Sequence, residues 1–171
     1  MHWTAALTAA ALALPAVVVA QTPTDAQIAA IVVTANQVDI DAGKLAASKG
    51  ASADVRAFGE MMATDHAGVN KAAAELAARL KLTPEENDTS RSLKADGDRH
   101  LEQLRGLSGA AFDRAYIDRE VAYHQAVLDV LDRTLIPSAQ NAALRNLLEK
   151  VRPAFVAHLE RARQIQSALG R

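Results

Sequence analysis

Residues 52–81 read SADVRAFGEMMATDHAGVNKAAAELAARLK. Val55, Gly59, Met62, His66, Val69, Ala73, Leu76 and Leu80 recur along this stretch at alternating steps of four and three. That is the spacing of a helix face buried against neighbours, and no part of the stretch alternates with period two. Ser52 suits the N-cap, where a hydroxyl accepts a free backbone N–H. The stretch therefore predicts a long amphipathic helix, here B, from Ser52 to about Lys81. One residue on its apolar face, His66, does not belong there.

Three more segments repeat the pattern. Thr24 followed by Gln27 forms a capping box opening helix A, which should run to about Ser48 and stop at Gly50. Its stripe is Ile28, Val32, Ala35, Asp39, Ala42 and Ala46. Helix D, from about Ala110 to Leu135, presents Ile117, Val121, His124, Leu128, Leu131 and Leu135. Ile136-Pro137-Ser138 turns the chain into helix E, which ends near Gly170 and presents Leu144, Leu148, Val151, Phe155, His158, Ala162, Ile165 and Leu169. Between B and D, Thr83-Pro84-Glu85-Glu86 reads as a start signal for a polar helix C over roughly 85–105, closed by Leu107-Ser108-Gly109. The small residues on A and B let those two helices approach closely. The fold class expected is all-α, a four-helix bundle with a long crossover containing one short helix.

Composition agrees. The 171 residues include 38 alanines, only 4% are aromatic, and there is no cysteine. Alanine favours helix, whereas strands draw on β-branched and aromatic side chains. Without cysteine there is no disulfide, thiolate metal site or thiol nucleophile. A net charge of −1, with no basic patch interleaved with aromatics, argues against nucleic acid as a partner. No glycine loop for phosphate and no serine nucleophile site stands out.

Residues 1–20 hold no Lys, Arg, Asp or Glu, and Val18 and Ala20 suit the −3 and −1 positions of a secretory cleavage site. The apolar run is short for a membrane anchor and contains Pro15. The expectation is a leader over 1–20, a domain over 21–171, and a periplasmic or secreted protein without stable membrane insertion. Cleavage would remove Trp3, the only tryptophan.

Each stripe carries one polar intruder: Asp39 on A, His66 on B, His124 on D and His158 on E. If the connection over 82–109 runs back along the bundle, helix lengths at ~1.5 Å per residue bring all four to similar depths. Glu120, one turn before His124, joins them. Three imidazoles and two carboxylates suit iron, manganese or zinc, and Met61 and Met62 near His66 add a softer option, copper. The same five residues also serve as a hydrogen-bonded network that fixes helix register without an ion. Spacing alone does not choose. Asp65 either reaches this layer or faces solvent. His100 reads as a solvated surface residue. Tyr116 and Tyr123 read as core tyrosines with satisfied hydroxyls, and Pro153 as a kink before His158.

Several short motifs, in order, resemble a known family. They are Gly43-Lys44-Leu45-Ala46, then Phe58 with Met61-Met62 and Asp65-His66, then Leu107-Ser108-Gly109 with Phe112-Asp113 and Tyr116, then Val121 with His124, then Pro153 with His158. This order resembles the bacterial family named domain of unknown function 4142, over roughly residues 25–168. The resemblance implies a ferritin-like four-helix bundle in an exported protein and carries no settled activity. Two departures stand out: Asp39 where members often have Glu, and Glu120-x-x-x-His124 in place of the Glu-x-x-His pairs of di-iron bundles. The reading is an exported ferritin-like helical bundle whose buried His/carboxylate layer can bind a transition metal, in an envelope or stress-related role. A non-enzymatic structural or interaction bundle and a metal-dependent redox enzyme are the rivals, and a homo-oligomer or envelope-protein partner stays open.

Overall fold

The computed structural model describes residues 22–170, so the leader expected over 1–20 lies outside it. Six helices follow one another: α1 Asp25–Lys49, α2 Ala53–Leu80, α3 Asp88–Arg105, α4 Gly109–Val130, α5 Ile136–Ser138 and α6 Ala142–Leu169. A π-helical turn, Leu131–Leu135, joins α4 to α5. There is no strand among the described residues, and the fold is all-α. None of these helices is long and apolar enough to cross a membrane.

The four long helices bury the predicted faces. α1 packs along α2 and α4 along α6, while α3 runs back beside α1 and returns the chain to the end where α1 finished. α2 and α4 are therefore parallel, and each is antiparallel to its packing partner. Backbone approach makes the α1–α2 pair tight. A Cβ on Gly59 would lie 2.6 Å from the Gly43 carbonyl oxygen, and one on Gly43 would lie 2.7 Å from that of Gly59. Gly59→Val should therefore push the helices apart and destabilise the protein by about 1–3 kcal/mol, the usual range for overpacking, in a denaturant titration.

A buried or tethered carboxylate staples each end. Asp113 on α4 accepts from the N–H groups of Ala51 and Ser52 at 2.8 and 2.7 Å, closing the α1–α2 turn. Asp25 at the start of α1 accepts from Gln140 and Asn141 at 2.8 and 2.9 Å, closing the turn into α6. Between the staples lie two apolar clusters. One contains Ile28, Leu76, Leu128, Leu148 and Phe155, and the other Val55, Phe58, Met62, Phe112 and Ile165. The polar layer sits where they meet.

Three boundaries differ from expectation. Thr83-Pro84-Glu85-Glu86 stays outside any helix, and the Glu85 N–H donates instead to the Ala26 carbonyl, tying the segment across α1. Helix C begins instead at Asp88, where Asn87 and Ser90 satisfy each other's backbone in a capping box. Helix E begins at Ala142 under an Asn141 cap, and Pro137 closes the preceding helical run. Pro153 lies inside a continuous α6.

Candidate metal centre

Asp39, His66, Glu120, His124 and His158 are all buried and all in one place. The three imidazole centroids form a nearly equilateral triangle: 5.6 Å from His66 to His124, 5.3 Å from His66 to His158, and 5.4 Å from His124 to His158. One nitrogen from each ring lies within 4.8 Å of the others. A second triad overlaps the first, since oxygens of Asp39 and Glu120 and a nitrogen of His124 also lie within 4.8 Å of one another. His66 Nε2 is 3.3 Å from Asp39 Oδ2, and His124 Nδ1 is 3.4 Å from Glu120 Oε2.

The outer side of each ring fixes its tautomer. The Val33 carbonyl can only accept, so the Asn70 amide turns its nitrogen toward it at 3.3 Å. Asn70 Oδ1 then accepts from Asn36 Nδ2 at 2.9 Å, which leaves Asn36 Oδ1 facing His66 Nδ1 at 2.8 Å. That nitrogen must carry the hydrogen. His124 Nδ1 lies 3.1 Å from the Glu120 carbonyl, and His158 Nε2 lies 3.0 Å from the Asp65 carboxylate, both again acceptors only. In the neutral rings the lone pairs are therefore on His66 Nε2, His124 Nε2 and His158 Nδ1. Those three nitrogens, with Glu120 Oε2, are buried and have no protein hydrogen-bond partner.

Electrostatics follow from burial. Desolvation, aided by the charges of His124 and His158, pushes His66 down to about 2. Burial also lowers His158, against the pull of Asp65. Burial works downward on His124 as well, but the Glu120 hydrogen bond and the nearby Asp39 and Glu120 charges raise it to about 9. Asp39 is raised well above the carboxylate range by burial and by Glu120. Such a cluster favours one positive charge at its centre.

Sequence reasoning placed the five inner residues and missed what holds them. Asn36 was legible as a polar residue one turn before Asp39 on α1, yet nothing in the sequence tied it to Asn70. Asp65, half exposed, lies with the layer as the acceptor for His158. His100 is not a solvated surface residue: it is half-buried beside Arg119, and burial lowers it to about 4. Tyr123 donates to the Ala35 carbonyl at 3.1 Å, whereas the buried Tyr116 hydroxyl has no partner. Met62 packs with the apolar cluster around Phe58 and Phe112.

A model of the protein family described as Domain of unknown function (DUF4142) matches residues 10–165. The chain belongs to that family. Among curated proteins and solved structures, none matches the chain. The family description names no activity, so chemistry must be read from the site. Its carboxylates sit unlike those of a paired Glu-x-x-His site: Arg161, three residues after His158, is drawn outward to Asp54 at 2.8 Å.

Proposed function

We propose that this protein is an exported helical bundle that holds one divalent transition metal ion on His66, His124 and His158, with Asp39 and Glu120 supplying carboxylate oxygen and negative charge. The observation that carries this reading is the direction of the imidazoles. A register lock stabilises by pairing its buried polar atoms, and each buried atom left unpaired costs about 1–3 kcal/mol. Here every ring is hydrogen-bonded on one nitrogen and makes no protein hydrogen bond on the other. Histidines that ligate metals have that arrangement, with the second N–H held by a carboxylate or carbonyl. Imidazole with carboxylate suits zinc, iron, manganese or copper, and a tetrahedral ion with bonds of ~2.0–2.2 Å needs only a modest closing of the triangle. Export rests on the leader over 1–20. An envelope or stress-related role rests on family analogy alone, and nothing about the site calls for turnover.

Metal analysis of protein purified from the periplasm tests the reading. About one ion per chain is expected, absent from His124→Ala and reduced in His158→Asn, with helical circular dichroism retained in the second variant. Protein that stays empty after incubation with each of the four metals would leave the register lock as the better account.

A further inference from the structure

A cavity of about 240 Å³ lies between α1, α3, α4 and α6 and reaches His66 on α2. It is larger than the ~150 Å³ apolar cavity that takes up benzene in an engineered lysozyme. Its walls along α4 run from Arg119 to Leu135, about 24 Å at ~1.5 Å per residue, so the space is long and narrow. The walls are mostly apolar. Asn36, Asp39, His66, Asp96 and Arg119 line one end, and Ile31, Thr89, Val127, Val130 and Leu131 the other.

Three further features mark this groove. Val130, 39% exposed, is the one large hydrophobic side chain left exposed among the described residues, and it lies on the groove. The π-helical turn Leu131–Leu135 falls at the Val130 end and contributes Leu131 and Leu135 to the wall. Such turns interrupt regular helix packing and recur at functional sites. Arg119, half-buried at the opposite end, stands 5.3 Å from the Tyr123 ring and makes no ion pair or hydrogen bond among the described residues. The guanidinium rests on that ring and feels the Asp39 charge, yet its N–H donors make no hydrogen bond among the described residues and suit an anionic group.

From the shape, the mostly apolar walls and the N–H donors of Arg119 left without an acceptor, we infer that the groove binds a free medium- or long-chain monocarboxylate, its chain along α4 and its carboxylate on Arg119. The groove borders the metal centre through Asp39 and His66, and binding on Arg119 needs no metal. The mostly apolar walls supply the affinity for the chain. The guanidinium selects a carboxylate over the matching alcohol.

Isothermal titration of the purified protein with dodecanoate and with dodecanol tests this. One dodecanoate per chain is expected. Arg119→Met should weaken dodecanoate about tenfold or more and leave dodecanol within about twofold. Ala126→Trp, which projects an indole into the groove from an exposed position and spares the core, should abolish both. His158→Asn removes a metal ligand that does not line the groove and should leave dodecanoate affinity unchanged. The proposal is overturned if dodecanoate does not saturate, if Ala126→Trp still binds, or if Arg119→Met weakens both ligands equally. Loss in His158→Asn would place the carboxylate on a metal instead, and overturn the role given to Arg119. A dimer in sedimentation that Ala126→Trp dissociates would make a second copy the occupant.

Discussion

Zinc added to metal-free protein should raise its thermal midpoint by roughly 8–16 °C when the free ion stands at about a thousand times its dissociation constant. Binding to the folded state alone stabilises by about 4 kcal/mol at that ratio. A domain of this size gains about 2–4 °C for each kcal/mol. The unfolded chain offers the same imidazoles far apart, so the preference for the folded state comes from the triangle. The decisive variant is Asp65→Ala. Asp65 touches the site only through His158 Nε2, and its side chain is 47% exposed, so it contributes little to packing. Losing it frees the His158 tautomer and should weaken zinc about 10–100-fold, the usual effect of removing the group behind a ligating histidine. The melting point of the metal-free variant should stay close to that of the parent. A midpoint that zinc does not move in the parent protein would remove the metal reading, and an Asp65→Ala variant binding as tightly as the parent would remove the role of its carboxylate.

The helices were legible because their signals are local. Capping boxes and three-four spacing act within a few residues, and Thr24, Ser52 and the stripes appear where expected. The shared depth of Asp39, His66, His124 and His158 was legible too, because helix length converts residue number into height once the crossover is assumed. What the sequence hid is rotation and partnership. Whether an imidazole turns its Nδ1 or Nε2 inward depends on acceptors from other helices, such as Asp65 for a ring on α6, or the Val33–Asn70–Asn36 relay for a ring on α2. Those contacts span from 30 to 93 residues of chain. The Thr83-Pro84 start signal failed for a related reason: a tertiary hydrogen bond from Glu85 to Ala26 competed with the local cap and won. His100 was misjudged because polar neighbours in sequence are not its neighbours in space. The groove left no pattern of its own, since Ala122 and Ala126 look like ordinary helix filler until α1 is seen to leave room above them.

Metal-free protein should lose stability as the pH falls below about 6.5. His66 has a folded value near 2 against an ordinary 6.5, so in that window the unfolded chain binds a proton that the folded chain refuses. Stability then drops with falling pH, by about 1.4 kcal/mol per unit from this one ring. His158 and His100 are lowered as well and act in the same direction. Asp39 opposes them, because its raised value means that the folded state holds a proton the unfolded state has released. With three imidazoles against one carboxyl, the sign remains a loss on acidification. His124 acts on the other side: raised to about 9, it contributes stability that is fully present below 6.5 and is lost as the pH climbs through 9. Urea titrations from pH 5 to 9.5 should therefore trace a maximum near neutrality, with the steeper fall on the acid side. In His66→Leu the acid limb should flatten by about 1.4 kcal/mol per unit while the alkaline limb keeps its slope. If the acid limb is as steep without His66, its ring titrates as it would in water, and the desolvated triangle on which the site depends is not present in solution.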